Sequence, residues 1–267
     1  MPDITSPQNP RIKQLLRLQQ KASARREEGL LLLEGRRELT IAAGAGLPVA
    51  TVFFCPELSG EAALRELREV VSGPAVEWVR VARAAFEKVA YREGSDGILA
   101  LAPVPPRTLA DLRLPANPLI LVLEAVEKPG NLGAILRTAD AAPADAVLIG
   151  DARTDLYNPN VIRASIGCVF TVPVVAAPVA EVLAFLREKR IKTYAAALTD
   201  SARPYTAHDF RGPTALVLGT EADGLTPALR AACDETIIIP MRGRIDSLNV
   251  SVAAAVLTFE AVRQRGG

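Results

Sequence analysis

Histidine and cysteine are scarce in this 267-residue chain, with one of the first and three of the second. A Ser-His-Asp or Cys-His apparatus would have to be built on His208, which stands in a polar Ala-His-Asp-Phe stretch and reads as a surface loop residue. Cys55, Cys168 and Cys233 are far apart, odd in number and set among apolar residues, a pattern of reduced buried thiols rather than of bridges or metal ligands. Without spaced Cys and His ligands, no metal site is expected. Neither GxGxxG nor GxxxxGK[ST] occurs, which argues against the common nucleotide-phosphate loops. No stretch approaches the roughly twenty apolar residues of a membrane span. The most apolar region, Ile41 to Cys55, is broken by glycines, Pro48 and Thr51. The opening MPDITSPQNPRIK has no basic segment followed by an apolar one, so a cytoplasmic location is expected. Any chemistry must therefore use Arg, Asn, Ser, Glu and the backbone.

Apolar residues make up 49% of the chain and charged ones 23%, which suits a soluble globular protein with ample core. Its near-balanced charge hides an asymmetry. Residues 1 to 37 hold eight Lys or Arg against four acids, a surplus of four, and the remainder is net negative by three. Such a cluster is either a solvated helix face or a phosphate-contacting surface.

Pro103 to Pro106, followed by Arg107 and Thr108, forms a seam between two regions, 1–105 and 106–267. Before it the pattern predicts a basic helix after Pro10, a helix from Gly35, a strand Thr51–Cys55, a helix Glu61–Val71, a strand Val76–Val81, a helix near Ala84 and a strand Gly97–Ala102. After it, apolar runs recur at Leu119–Leu123, Ala146–Ile149, Val172–Val175, Thr193–Leu198, Ala215–Leu218 and Thr236–Ile239. Helical patterns between them, notably Leu132–Ala141, Pro178–Lys189 and Leu248–Arg263, indicate an α/β fold with a parallel sheet covered on both faces.

Sheets of that kind bind ligands at the carboxyl ends of their strands. Three such ends have unusual composition. In the first, Asn131 follows Pro129-Gly130 and could cap the next helix, while Arg137 shares a row with Gly133, Ala134 and Ala141, whose small side chains leave its guanidinium approachable. In the second, Glu221 lies in the loop before a helix started by Thr226-Pro227. In the third, Asp246 or Ser247 could cap the final helix, and Asn249 follows. Taken alone, each of these residues reads as structural before it reads as catalytic.

Together, NLGAILRTA, LGTEADGL and IPMRGRIDSLNVSVA resemble, in order, the three signature motifs of the SpoU family of RNA ribose 2'-O-methyltransferases, within the SPOUT superfamily. The likeness runs from Pro118 to the C-terminus. In the front half, Ser6-Pro-Gln-Asn-Pro10-Arg-Ile-Lys, Leu33-Glu-Gly35 and Ser95-Asp-Gly-Ile-Leu-Ala100 resemble the L30e-like substrate-binding module of many ribosomal-RNA members. The resemblance implies a small L30e-like α/β domain followed by a trefoil-knotted methyltransferase domain, S-adenosylmethionine as methyl donor, and a homodimer. It makes Asn131, Arg137, Glu221, Ser247 and Asn249 the catalytic candidates, and Leu218, Gly219, Ile239, Met241 and Leu248 the cofactor-binding ones. Arg11, Lys13, Arg25, Arg26 and Arg36 become candidates for RNA contact. The expected activity is 2'-O-methylation of 23S ribosomal RNA. Its alternatives are a transfer-RNA methyltransferase of the same family or a noncatalytic RNA-binding assembly factor.

Overall fold

The computed structural model describes residues 3–71, 73, 75–91, 94–220 and 223–266. Two compact units emerge: residues 1–106 with 155–171, and residues 107–154 with 172–267.

The first unit runs β1 (Asp3–Ile4), α1 (Pro10–Gln20), α2 (Ala22–Glu28), β2 (Leu30–Glu34), α3 (Arg36–Gly44), β3 (Thr51–Phe54), α4 (Pro56–Ser59), α5 (Glu61–Val70), β4 (Glu77–Val81), α6 (Arg83–Val89) and β5 (Ile98–Pro103). Its five-stranded sheet has the order β1-β4-β3-β5-β2, with β5 antiparallel to both β3 and β2. Helix α1 starts where Asn9 accepts a hydrogen bond from the Arg11 amide (2.9 Å) and Pro10 takes the first helical position. Its Ile12, Leu15 and Leu18 are buried with Phe53, Val79 and Phe86. The alternate strand residues face the opposite side of the sheet.

The rest of the chain gives β6 (Leu119–Glu124), α7 (Pro129–Ala141), β7 (Ala146–Gly150), α8 (Pro159–Ala164), α9 (Cys168–Thr171), β8 (Val174–Ala177), α10 (Val179–Glu188), β9 (Lys192–Ala196), β10 (Arg203–Pro204), β11 (Thr214–Leu218), α11 (Pro227–Ala232), β12 (Glu235–Ile238) and α12 (Val250–Gln264). The seven-stranded sheet has the order β10-β12-β9-β11-β6-β7-β8, with every pairing parallel. Strands β6, β7 and β11 are buried along their whole length, which explains why their sequences are apolar apart from Glu124 at the end of β6 and Thr214 at the start of β11. No helix among the described residues is long and apolar enough to cross a membrane.

Helices α8 and α9, between β7 and β8 in sequence, belong to the first unit. Arg25 ties them there through Asp155 (2.6 Å), and a Cβ added at Gly167 would come within 3.2 Å of Ile41, so the backbone approaches α3 closely. The division at the proline seam read from sequence does not contain this return.

Two readings need correction. His208 is buried, not a surface residue: its Nδ1 lies 2.6 Å from Glu235 Oε2 and its ring meets Tyr194 edge-on and stacks near Phe210. Glu235 begins β12, so His208 is at the sheet edge opposite the carboxyl ends of the strands. None of the three cysteines is in a disulfide, but only Cys55 is buried, whereas Cys168 and Cys233 are half-buried. Burial pushes the Cys233 thiol up to about 11; burial followed by a hydrogen bond to Glu57 does the same for Cys55, leaving both unreactive at neutral pH.

Candidate functional site

At the carboxyl ends of β9, β11 and β12 the second unit encloses a cavity of about 370 Å³. All five residues expected from the resemblance to hold a cofactor, Leu218, Gly219, Ile239, Met241 and Leu248, line it. So do Ser247 and the carboxylates Asp223 and Asp246. That volume is within the range of about 300–1,000 Å³ typical of small-molecule sites. Apolar side chains beside exposed backbone suit a flat heterocycle held by main-chain groups.

Glycine at 219 is dictated by the loop that follows it. Thr220 and Gly224 exchange backbone hydrogen bonds of 3.0 and 3.2 Å, folding the chain back on itself. A Cβ at Gly219 would fall 2.0 Å from the Gly224 carbonyl carbon, so any side chain there forces the turn open. Glu221, within this turn in sequence, lies outside the described residues. The turn's far end is fixed by Thr226. Its hydroxyl caps α11 by accepting from the Leu229 amide, and its amide and hydroxyl both donate to Glu124, at 2.7 and 2.6 Å.

Glu124 is a positioning residue that sequence reasoning passed over. It is only 5% exposed and ends the otherwise apolar β6, so its carboxylate requires partners. The signal was a single acid closing an apolar run; its partner Thr226, 102 positions later, was legible as a helix start but not as a partner of Glu124.

The first and third motifs meet directly. Asn249 Nδ2 donates to Asn131 Oδ1 at 3.1 Å, across 118 residues. Neither helix cap is where the sequence suggested. Lys128 is the N-cap of α7, so Asn131 is inside the first turn with its side chain available for this contact. Asn249, not Asp246 or Ser247, caps α12, accepting from the Ser251 amide (2.9 Å) and hydroxyl (2.6 Å). One side chain thus starts a helix, orients Ser251 and reaches the first motif. Its neighbours Leu248 and Val250 line the cavity.

Arg137 is exposed on α7 and, among the described residues, makes no hydrogen bond or ion pair. The RNA candidates of the first unit behave differently. Arg11 forms a two-pronged pair with Glu77 (2.8 and 2.5 Å) and lies over Phe53. Arg25 is 3% exposed, paired with Asp155 and bonded to the Leu18 carbonyl, which withdraws it from any external phosphate. Arg36 contacts Glu66 at 3.4 Å. Lys13 and Arg26 are exposed and have no ion-pair partner among the described residues. No group of three or more His, Cys, Asp or Glu that could hold a metal occurs among those residues.

The motif geometry agrees with what the chain is similar to. Residues 118–259 match the SpoU rRNA Methylase family, and residues 9–100 match the MRM3-like substrate binding domain. The 23S rRNA (uridine(2479)-2'-O)-methyltransferase of Streptomyces viridochromogenes is 31% identical over 98% of this chain and 92% of its own length. The 23S rRNA (guanosine(2553)-2'-O)-methyltransferase RlmP of Bacillus subtilis is 37% identical over 66% of this chain and 68% of its own. The crystal structure of the SpoU methyltransferase AviRb from Streptomyces viridochromogenes in complex with AdoMet superposes with a TM-score of 0.88 at 29% identity, covering 97% of this chain and 99% of that one. With the second and third motifs lining one cavity, the first bonded to the third, and relatives spanning nearly its full length, the chain belongs to the SpoU family of methyltransferases.

Proposed function

We propose that the protein transfers a methyl group from S-adenosylmethionine to a ribose 2'-hydroxyl of 23S ribosomal RNA. The observation that carries this reading is the Asn131–Asn249 hydrogen bond, which joins the first motif to a segment whose neighbouring residues line the cavity. The donor fits there on its residues: Leu218, Ile239, Met241 and Leu248 for an apolar heterocycle, and Gly219 for close approach of backbone. When bound, it supplies an electrophilic methyl on a positively charged sulfur.

The protein's task is then alignment, because in-line displacement is fast only when the hydroxyl faces the methyl at near-contact distance. Asn131, Ser247 and Asn249 orient the ribose through hydrogen bonds. Arg137 clamps the adjacent phosphate and stabilises the negative charge that grows on the ribose oxygen. A guanidinium is protonated at all physiological pH, so it is a poor base; the proton leaves through the phosphate or a water. Glu221 acts in this scheme as an organiser of the second motif.

The same proposal includes RNA contact by Lys13 and Arg26, a cytoplasmic location and a homodimer. Helix α12 supports the dimer: Val252 and Phe259 remain 47% and 48% exposed on a helix that otherwise packs against α7. Sedimentation as a single chain at micromolar concentration would contradict it.

Incubation with labelled donor and unmodified ribosomal and transfer RNAs, followed by mapping of alkali-resistant linkages, tests the central claim. One resistant position in 23S RNA is expected. Label in no RNA would overturn the reading.

A further inference from the structure

A second cavity, of about 400 Å³, belongs entirely to the first unit, between β3–β4 and α5. The sheet contributes Phe54 and Arg80, which are register partners, with Trp78 two positions along on the same face. From α5 come Glu61, Leu64, Arg65 and Arg68, at helical spacings of three and four, so both arginines share the cavity face while Glu66 and Glu69 do not. The lining is therefore three guanidiniums against one carboxylate, with Glu57 close enough to Arg80 to feel its charge.

These arginines differ from those of the basic N-terminal segment. Arg11, Arg25 and Arg36 are taken up by Glu77, Asp155 and Glu66. Among the described residues Arg65 and Arg80 have no hydrogen bond or ion pair. Arg68 sits 4.9 Å over the Trp78 ring and 5.9 Å over that of Phe54, and the two rings pack edge-to-face. Arginine–aromatic pairs of this kind are surfaces on which nucleic-acid bases stack. Guanidiniums donate and never accept, which selects oxyanions, and their phosphate geometry is two-pronged.

We propose that this cavity holds a single-stranded segment of the RNA substrate, with phosphates on Arg65 and Arg80 and a base stacked on the Arg68–Trp78 pair. Unpaired RNA presents both groups together, a backbone anion and an unstacked base, which an acidic peptide does not. The site rests on the RNA-methyltransferase reading and deepens it: substrate is gripped in one unit and methylated in the other. Sequence reading placed RNA contact in residues 11–36, because charge density was highest there; this cavity adds α5 and β4 to the contacts proposed for Lys13 and Arg26.

Trp78 is the sole tryptophan of the chain and packs against Phe54 and Arg68 of the cavity lining, so emission excited selectively at the indole reports on this region. Titration of the full-length protein with an unstructured oligouridylate and with a 23S RNA fragment is expected to change that emission. In Arg65→Ala/Arg80→Ala, a pair of exposed positions whose folding is checked by circular dichroism, RNA affinity is expected to fall about tenfold or more near 0.1 M salt. The slope of log affinity against log salt should flatten by about two, roughly one per lost phosphate contact. Donor affinity and kcat at saturating RNA stay at wild-type values. Should wild-type protein methylate RNA while the double variant keeps its KM and salt slope, this site is wrong and the function stands. Absence of both RNA binding and methylation in the wild type overturns the two together. An equal Trp78 response to polyglutamate overturns the RNA assignment in favour of an acidic protein ligand.

Discussion

Arginine serves different ends in the two units. In the first, Arg25 is enclosed by Asp155 and the Leu18 carbonyl and holds separate parts of the chain together. In the second, Arg137 stands exposed among small residues on α7 without a partner among those described. Counting basic residues ranks residues 1–37 as the place where the protein meets anions, yet much of that charge is already matched internally. What locates a binding surface is charge without a partner, and that depends on acids that can be far away in sequence.

Arg137→Ala is the largest test of this contrast. Methyl transfer should fall about 10²- to 10³-fold, the range for loss of one donor to a developing oxyanion, with the melting temperature unchanged. Arg137→Lys keeps charge without the planar fork, and full activity in that variant would remove the two-pronged role. Arg25→Ala should do the reverse. Leaving Asp155 without its partner in a largely buried setting costs about 3 kcal/mol, read by urea denaturation, while the folded fraction keeps its RNA affinity. A loss of RNA affinity without loss of stability would return Arg25 to the binding surface.

Asn249→Ala spans the comparison, since this residue both caps α12 and contacts Asn131. Loss of the cap should cost about 1 kcal/mol, and kcat should fall by more than that instability explains. The smallest effect is expected for Arg11→Ala. Its pair with Glu77 is partly exposed and contributes less than about 1 kcal/mol. Arg11 holds the Glu77 carboxyl below the usual glutamate range, so its contribution is complete above about pH 4.3 and is lost as pH falls through the lower folded-state value. The variant's melting temperature should therefore approach that of the wild type in acid. A difference that persists at pH 3 would mean that packing against Phe53, not charge, is the contribution of Arg11.

The parallel sheet was legible because strands buried on both faces are written as continuous apolar runs, as in Leu119–Leu123 and Ala215–Leu218. Strand β2 was not: Leu30–Leu33 has no alternation, and four leucines favour helix as readily as strand until β5 pairs with them. Helices α8 and α9 are too short for a periodic signal. Among the site residues, the motif strings named Asn131 and Asn249, but their bond across 118 positions exists only in the fold. The roles of Glu124 and Arg25 were unreadable for the same reason, each set by a partner more than a hundred residues away.

The return of residues 155–171 to the first unit also sets an order of assembly. Chains usually complete their N-terminal domain first during synthesis. Here the opening unit must wait, missing two of its helices, until β6, α7 and β7 of the other unit have already emerged. Nascent chains halted at the proline seam should be more sensitive to protease than chains halted beyond position 171. For the same reason, severing the polypeptide at that seam would release one incomplete body and leave the other carrying a pair of orphaned helices.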